Sequence, residues 1–151
     1  MTEVGTAKYA KHPSTEVLMA SYGLDDDPVK QWVPEEGDQF PAELEDAMLD
    51  ERVIKYAWNA AFEKLHWQHV LGIETERSSW RDPMVMAHYC SMPGALRKVG
   101  PIVKLPVEEQ KKGEGTRLIS WFSKLRPPTK TKPARRVYWY EKPELWEKYK
   151  E

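Results

Sequence analysis

Near the start of the chain an apolar run, VLMASYGL (residues 17–24), is followed by an acidic stretch, DDDP (25–28), and a second run, VKQWV (29–33). The second run alternates apolar and polar residues, the period of a strand with one buried face. Run, turn, run predicts an antiparallel hairpin. PAELEDAMLDE (41–51) carries Pro41 at a first helical turn and acids just after it, the signature of a short helix start. Leu44, Ala47 and Met48 then share one face. RVIKYAW (52–58) is the next strand candidate. Beyond it, Ala61, Leu65, Trp67, Val70 and Leu71 suit a helix from Ala60, which Gly72 stops.

Asp82 before Pro83 predicts another helix start, the acid capping and the proline at the first position. Met84, Val85, Ala87 and Tyr89 carry that helix to Pro93 and Gly94. ALRKVGPIVKLP (95–106) reads as a second short helix broken by Gly100 and Pro101, and EEQKKGEG (108–115) as a polar, mobile loop. TRLISWFSKL (116–125) predicts a helix with Leu118, Ile119 and Phe122 inward. RPPTKTKPARR (126–136) is too proline-rich for regular structure, and PELWEKYKE (143–151) starts one more helix near Pro143. The N-terminus opens without a strong element. The order β-β-α-β-α and then helices predicts the α/β class with a mixed sheet flanked by helices.

The length, 151 residues, suits a single domain with a real core. A net charge of −1 gives no bulk signal for nucleic acid or membrane. Cys90 is the single cysteine, so no internal disulfide forms and a reducing, cytoplasmic compartment is expected. A buried thiol is its default. No apolar run approaches the length of a membrane span, and residues 1–10 lack the apolar segment of a signal peptide.

The chemistry concentrates in AWNAAFEKLHWQHVLGI (57–73). A strand that ends at Asn59 delivers it to the rim of a sheet, where α/β folds place their sites. Glu63 lies four residues on, on the same helical face. A carboxylate there can hold a hard divalent cation. It can equally be a helix start, with Asn59 as the cap and Glu63 favouring the positive end. Asp25, Asp26 and Asp27 read as a solvated turn. His66 and His69 have no evident third ligand. Residues 124–140 form a basic and aromatic loop. Lys124, Arg126, Lys130, Lys132, Arg135 and Arg136 are followed by Tyr138, Trp139 and Tyr140, with no acid among the cations. Such a strip suits single-stranded DNA, with phosphates on the cations and bases on the rings. It also reads as a solvated loop with an aromatic anchor.

Four segments in order resemble the 3′–5′ exonuclease domain of phage and bacterial family A DNA polymerases, a DnaQ-like, ribonuclease-H-like family. They are VGTAKYAKHPSTEVLMASYGLDDDPVKQW, WNAAFEKLHWQHVLGI, WRDPMVMAHYCSMPGALRKVG and KGEGTRLISWFSK, and together they span nearly the whole chain. Asn59-Ala60-Ala61-Phe62-Glu63 is similar to the family's second exonuclease motif. The resemblance implies hydrolysis of phosphodiesters by two divalent ions, Mg²⁺ or Mn²⁺. It implies Glu63 as a metal ligand and catalytic residue, Asn59 as the residue that positions that corner, and Phe62 against the terminal nucleotide. It makes single-stranded DNA or a DNA 3′ end the expected partner of the basic strip, in a bacterial host cytoplasm if phage-encoded.

The chain departs from the family in two places. The Asp-x-Glu of the first motif, expected upstream of Thr2, and the Tyr–Asp of the third, expected after PELWEKYKE, are not in the sequence. The resemblance therefore implies an incomplete ribonuclease-H-like domain over residues 1–151, truncated at both ends and inefficient as an isolated chain. The expected partners are a DNA polymerase or a complementary polypeptide that supplies a missing strand, or a second copy of the chain. The alternative is a non-catalytic remnant that binds DNA or protein, or one half of a split enzyme.

Overall fold

The computed structural model describes residues 5–107, 110, 115–124, 126–131 and 133–150. The chain divides into two compact units, Met1–Leu105 and Pro106–Glu151.

In the first unit the predicted hairpin forms. Strand β1 (Ala20–Tyr22) pairs antiparallel with β2 (Lys30–Trp32), with Ala20 opposite Trp32 and Tyr22 opposite Lys30. Asp25, Asp26 and Asp27 are exposed at its turn. Asp25 takes a left-handed φ of 50°, which a short polar side chain tolerates. Helix α2 (Ala42–Leu49) starts after Pro41, and Leu44 and Met48 bury one face. The hairpin is tied to it through one carboxylate: Glu43 accepts from Tyr22 Oη at 2.8 Å and from Lys30 Nζ at 2.8 and 3.0 Å. Those two partners hold Glu43 below the usual carboxylate range, Lys30 first and Tyr22 second.

Strand β3 (Lys55–Tyr56) pairs in parallel with β4 (Trp80–Arg81), and the ladder continues as Ala57 N donates to Arg81 O at 3.3 Å. The apolar run 52–58 yields only this short strand, and Val53 and Ile54 are exposed. Lys55 is buried; its ammonium donates to Asp50 O at 2.5 Å, the carbonyl at the C-cap of α2, where a cation suits the helix dipole. The α/β class stands. Among the described residues, however, the strands form two separate two-stranded ladders, one antiparallel and one parallel, instead of one mixed sheet. The core of the unit packs Leu44, Met48, Ala60 and Trp80 against Tyr22, Phe40, Ala57, Trp67 and Ile73. Phe40 meets the edges of Trp32 and Trp67, with ring centroids 4.8 and 5.9 Å away.

Helix α3 (Ala60–His69) follows β3, and α4 (Pro83–Tyr89) follows β4. Helix α4 stops at Tyr89, short of Pro93, and Val85 and Tyr89, expected to help carry it, face solvent. Cys90, at its C-cap, is exposed instead of buried. Helix α5 (Leu96–Ile102) runs through Gly100 and Pro101, where the sequence predicts a break. Pro101 lies in the last turn, where its missing N–H forfeits one bond, and Val103 N still reaches Val99 O at 3.0 Å. Helix α1 (Thr6–Ala10), unread in the sequence, packs on α3.

In the second unit, helices α6 (Gly115–Phe122) and α7 (Pro143–Lys150) pack together. Phe122 is fully buried, edge-on to Trp146 at 5.0 Å and stacked with Tyr149 at 5.5 Å. Leu118 is buried as expected, but Ile119 is 42% exposed. Between the helices, the described residues form a single antiparallel bridge between Arg126 and Arg135 and a short 3-10 turn, Trp139–Glu141. The predicted mobile loop at 108–115 falls largely outside the described residues. No helix of the described residues is long and apolar enough to cross a membrane.

Candidate functional site

The corner between β3 and α3 is built on a left-handed residue. Asn59 has φ 65° and ψ 50°, an uncommon conformation that Asn tolerates better than most residues. Its carbonyl accepts from Phe62 N at 2.8 Å, the first bond of the helix. Its side chain makes no capping bond, so the simple cap reading of Asn59 does not hold. The cap comes from Asp82, 23 residues away: Oδ1 accepts from Asn59 N and Oδ2 from Ala60 N, both at 3.0 Å. The same Oδ1 accepts from Met84 N at 2.9 Å, the cap of α4 that Asp82-Pro83 predicts. One carboxylate thus joins two helix starts. The preceding residue is braced too, as Trp58 Nε1 donates to Gly94 O at 3.0 Å. A Cβ at 94 would lie 2.6 Å from His88 Nε2, so a side chain there would require the exposed His88 ring to move.

Glu63, one turn into α3, is the unusual group. Its Oε2 is buried without a hydrogen-bond partner. Burial raises its pKa; its own backbone N–H opposes the rise, and the charge of Asp82 adds to it. A carboxylate so placed is suited to take up a proton or a cation. Phe62 packs inside the unit, with its ring 3.9 Å from His66 and 6.5 Å from Tyr9. His66 Nδ1 lies 2.6 Å from Phe62 O, and His69 is exposed. No group of three or more His, Cys, Asp or Glu side chains that could hold a metal occurs among the described residues. Asp82's part in this corner is the feature that sequence reasoning missed. The local signal marks it only as the cap of its own helix.

The basic strip belongs to the second unit. Lys124, Arg126 and Lys130 are exposed, Arg135 and Arg136 are half-buried, and Lys132 lies outside the described residues. The arginines do different things. The Arg126 guanidinium lies 4.4 Å from the ring of Trp121, and that of Arg136 lies 5.0 Å from Tyr138. Arg135 instead grips Glu141 through two bonds of 2.6 and 2.8 Å. Glu141 Oε1 also accepts from Tyr138 N at 3.1 Å, bracing the turn before α7. The Tyr138 and Tyr140 rings are parallel within 2° at 5.6 Å, and Tyr140 is exposed.

No family model and no solved structure matches the chain. Over 151 residues, 99% of its length, it is 34% identical to a protein of Bacillus phage SP02 named DNA polymerase. The chain spans 23% of the length of that relative, so it is similar to about a quarter of a phage DNA polymerase.

Proposed function

We propose that the chain is a 3′–5′ exonuclease-like, proofreading segment associated with a DNA polymerase, built on an incomplete ribonuclease-H-like sheet. The observation that carries this reading is the unpartnered, buried Oε2 of Glu63 at the start of the helix after Asn59. The similarity to part of a phage DNA polymerase supports it. The orphaned oxygen fits a Mg²⁺ or Mn²⁺ ligand. Such ions would supply activation of water and charge stabilisation at the leaving oxygen, with Glu63 as one of the groups that would hold them. In this reading Glu63 supplies one ligand, Asn59 shapes the corner and Phe62 packs beside the terminal nucleotide. Lys124, Arg126, Lys130, Lys132, Arg135 and Arg136 offer positive charge to a single strand, Arg135 with its charge already shared with Glu141.

The ligand count limits activity. Asp82 engages both oxygens with backbone amides, and the described residues offer no third acid at the corner. A cation held by one carboxylate and waters is held weakly. The further acids and the strand that would join the two short ladders come, in this reading, from a polymerase, a complementary polypeptide or a second copy of the chain. The test uses 3′-labelled single-stranded DNA with Mg²⁺ or Mn²⁺. The chain alone degrades it slowly or not at all. Adding a polypeptide with an Asp-x-Glu strand and a Tyr–Asp helix restores degradation, and Glu63→Ala abolishes it. Restored activity that survives Glu63→Ala overturns the reading.

A second reading, a non-catalytic DNA- or protein-binding remnant, is favoured by the arginine–aromatic pairs of the second unit, which need no metal to bind a strand. DNA binding without degradation, even after the missing acids are supplied, selects it.

A further inference from the structure

The first N–H groups of a helix have no acceptor within the helix and must find one elsewhere. At α3 the side chain in the cap position offers none, and Asn59 sits in a left-handed conformation that few residues adopt unaided. The Asp82 carboxylate takes the Asn59 and Ala60 amides together, and it reaches them from the start of another helix. Its third bond, from Met84 N, ties it to that helix, so the carboxylate cannot swing away without uncapping α4. The direction in which α3 leaves the corner, and hence where Glu63 points one turn later, follows from this group.

We propose that Asp82 is the positioning residue of the Glu63 corner: its carboxylate holds Asn59 left-handed and fixes the start of α3 against the start of α4. For its effect on metal binding the proposal rests on reading Glu63 as a ligand; for its effect on the corner it does not. The role assigned to Asp82 is positioning, because three backbone amides already hold its two oxygens. An asparagine at 82 presents one acceptor oxygen and one NH₂ group, so it keeps the side-chain shape but satisfies only one side of the corner. A glycine at 59 adopts the left-handed conformation freely, so it removes the need for the clamp.

The experiment follows two quantities in the full ¹⁵N-labelled chain: amide exchange at Asn59 and Ala60, and the Mn²⁺ concentration that half-broadens the amide signals around Glu63. Asp82→Ala speeds exchange at both amides and raises the Mn²⁺ half-point about tenfold, the usual cost of losing a group that orients a ligand. Asp82→Asn speeds exchange at one of the two amides. Asn59→Gly in the Asp82→Ala background returns the Mn²⁺ half-point to within about twofold of the parent. Asp38→Ala, which removes a comparable carboxylate bond to Val33 N near the hairpin, lowers the melting temperature but moves neither quantity at the corner. Unchanged exchange at Asn59 and Ala60 in Asp82→Ala overturns the proposal, as does a Mn²⁺ half-point no different from the parent's. If the parent shows no Mn²⁺ effect near Glu63, the metal reading fails. The exchange arm then still decides the proposal, with faster exchange sustaining it and unchanged exchange overturning it. Should Asp82→Ala not fold, the same comparison is read from Asp82→Asn with and without Asn59→Gly.

Discussion

The Asp82 corner and the Glu141 turn solve the same problem with different partners. In each, one carboxylate gathers donors from a turn and fixes the start of a helix. Asp82 does so with three backbone amides and no cation. Glu141 counts the Arg135 guanidinium and the Tyr138 amide among its partners. The difference lies in what is left over. Near Asp82 another acid, Glu63, remains buried with an oxygen unpartnered. Near Glu141 the neighbouring cations lean on aromatic rings. Satisfied carboxylates build both regions. What remains beside the first is an unsatisfied carboxylate oxygen; what remains beside the second is guanidinium charge packed on rings.

The largest expected effect separates the two builders. Asp82→Ala strands backbone donors at two helix starts and is expected to cost about 2–4 kcal/mol in chemical denaturation. Glu141→Ala breaks a partly exposed pair, so it lowers the melting temperature by no more than a few degrees. Equal losses would erase the distinction between an amide-held and an arginine-held turn.

Next come the cations. If Arg126 and Arg136 meet phosphates while Arg135 serves Glu141, then Arg126→Ala and Arg136→Ala each weaken single-stranded DNA binding. Each also reduces the slope of log affinity against log salt by about 0.7 in titrations at several salt concentrations. Arg135→Ala is expected to lower stability more than it changes that slope. A slope that falls only with Arg135→Ala would reverse the assignment.

A smaller effect concerns pH. The folded-state pKa of Glu63 lies above its ordinary value of 4.5, chiefly through burial. The native state therefore binds its proton more readily than the unfolded state does. The benefit is complete below the ordinary value and is lost as pH rises through the folded one. Glu63→Gln is accordingly expected to raise stability at neutral pH by about 1 kcal/mol, the order of a relieved burial cost. The gap to the parent should narrow as pH falls toward 4.5. Asp50 works the other way. The Arg52 side chain and backbone amide hold it down at about 2, so its contribution is present at neutral pH and disappears as pH falls through that value. A gap that widens on acidification would contradict the account of Glu63.

These contrasts mark what could be read from the sequence. The hairpin, the helix starts at Pro41, Asp82-Pro83 and Pro143, and the stop before Gly72 were legible because turn and cap chemistry is local. Strand β4 was not: Trp80-Arg81 is too short for any periodicity, and it is a strand only because β3 lies beside it. The joining of the ladders into one sheet and the break at Gly100-Pro101 were inferred from local rules that pairing and packing overrode. Helix α1 is little more than one turn, and packing on α3 is what its five residues do not announce. At the site, Glu63 was legible as a residue and a spacing. Its lack of a partner, the clamp from Asp82 and the capture of Arg135 by Glu141 depend on groups that only the fold brings together.

The central claim is that the unpartnered oxygen of Glu63 is a metal ligand. The most direct measurement is Mn²⁺-induced broadening of amide signals in the ¹⁵N-labelled parent chain and in Glu63→Gln. The account predicts broadening centred on Ala60 to Lys64 in the parent and its loss in Glu63→Gln. Broadening centred on Asp25 to Asp27, or left unchanged by Glu63→Gln, would contradict it.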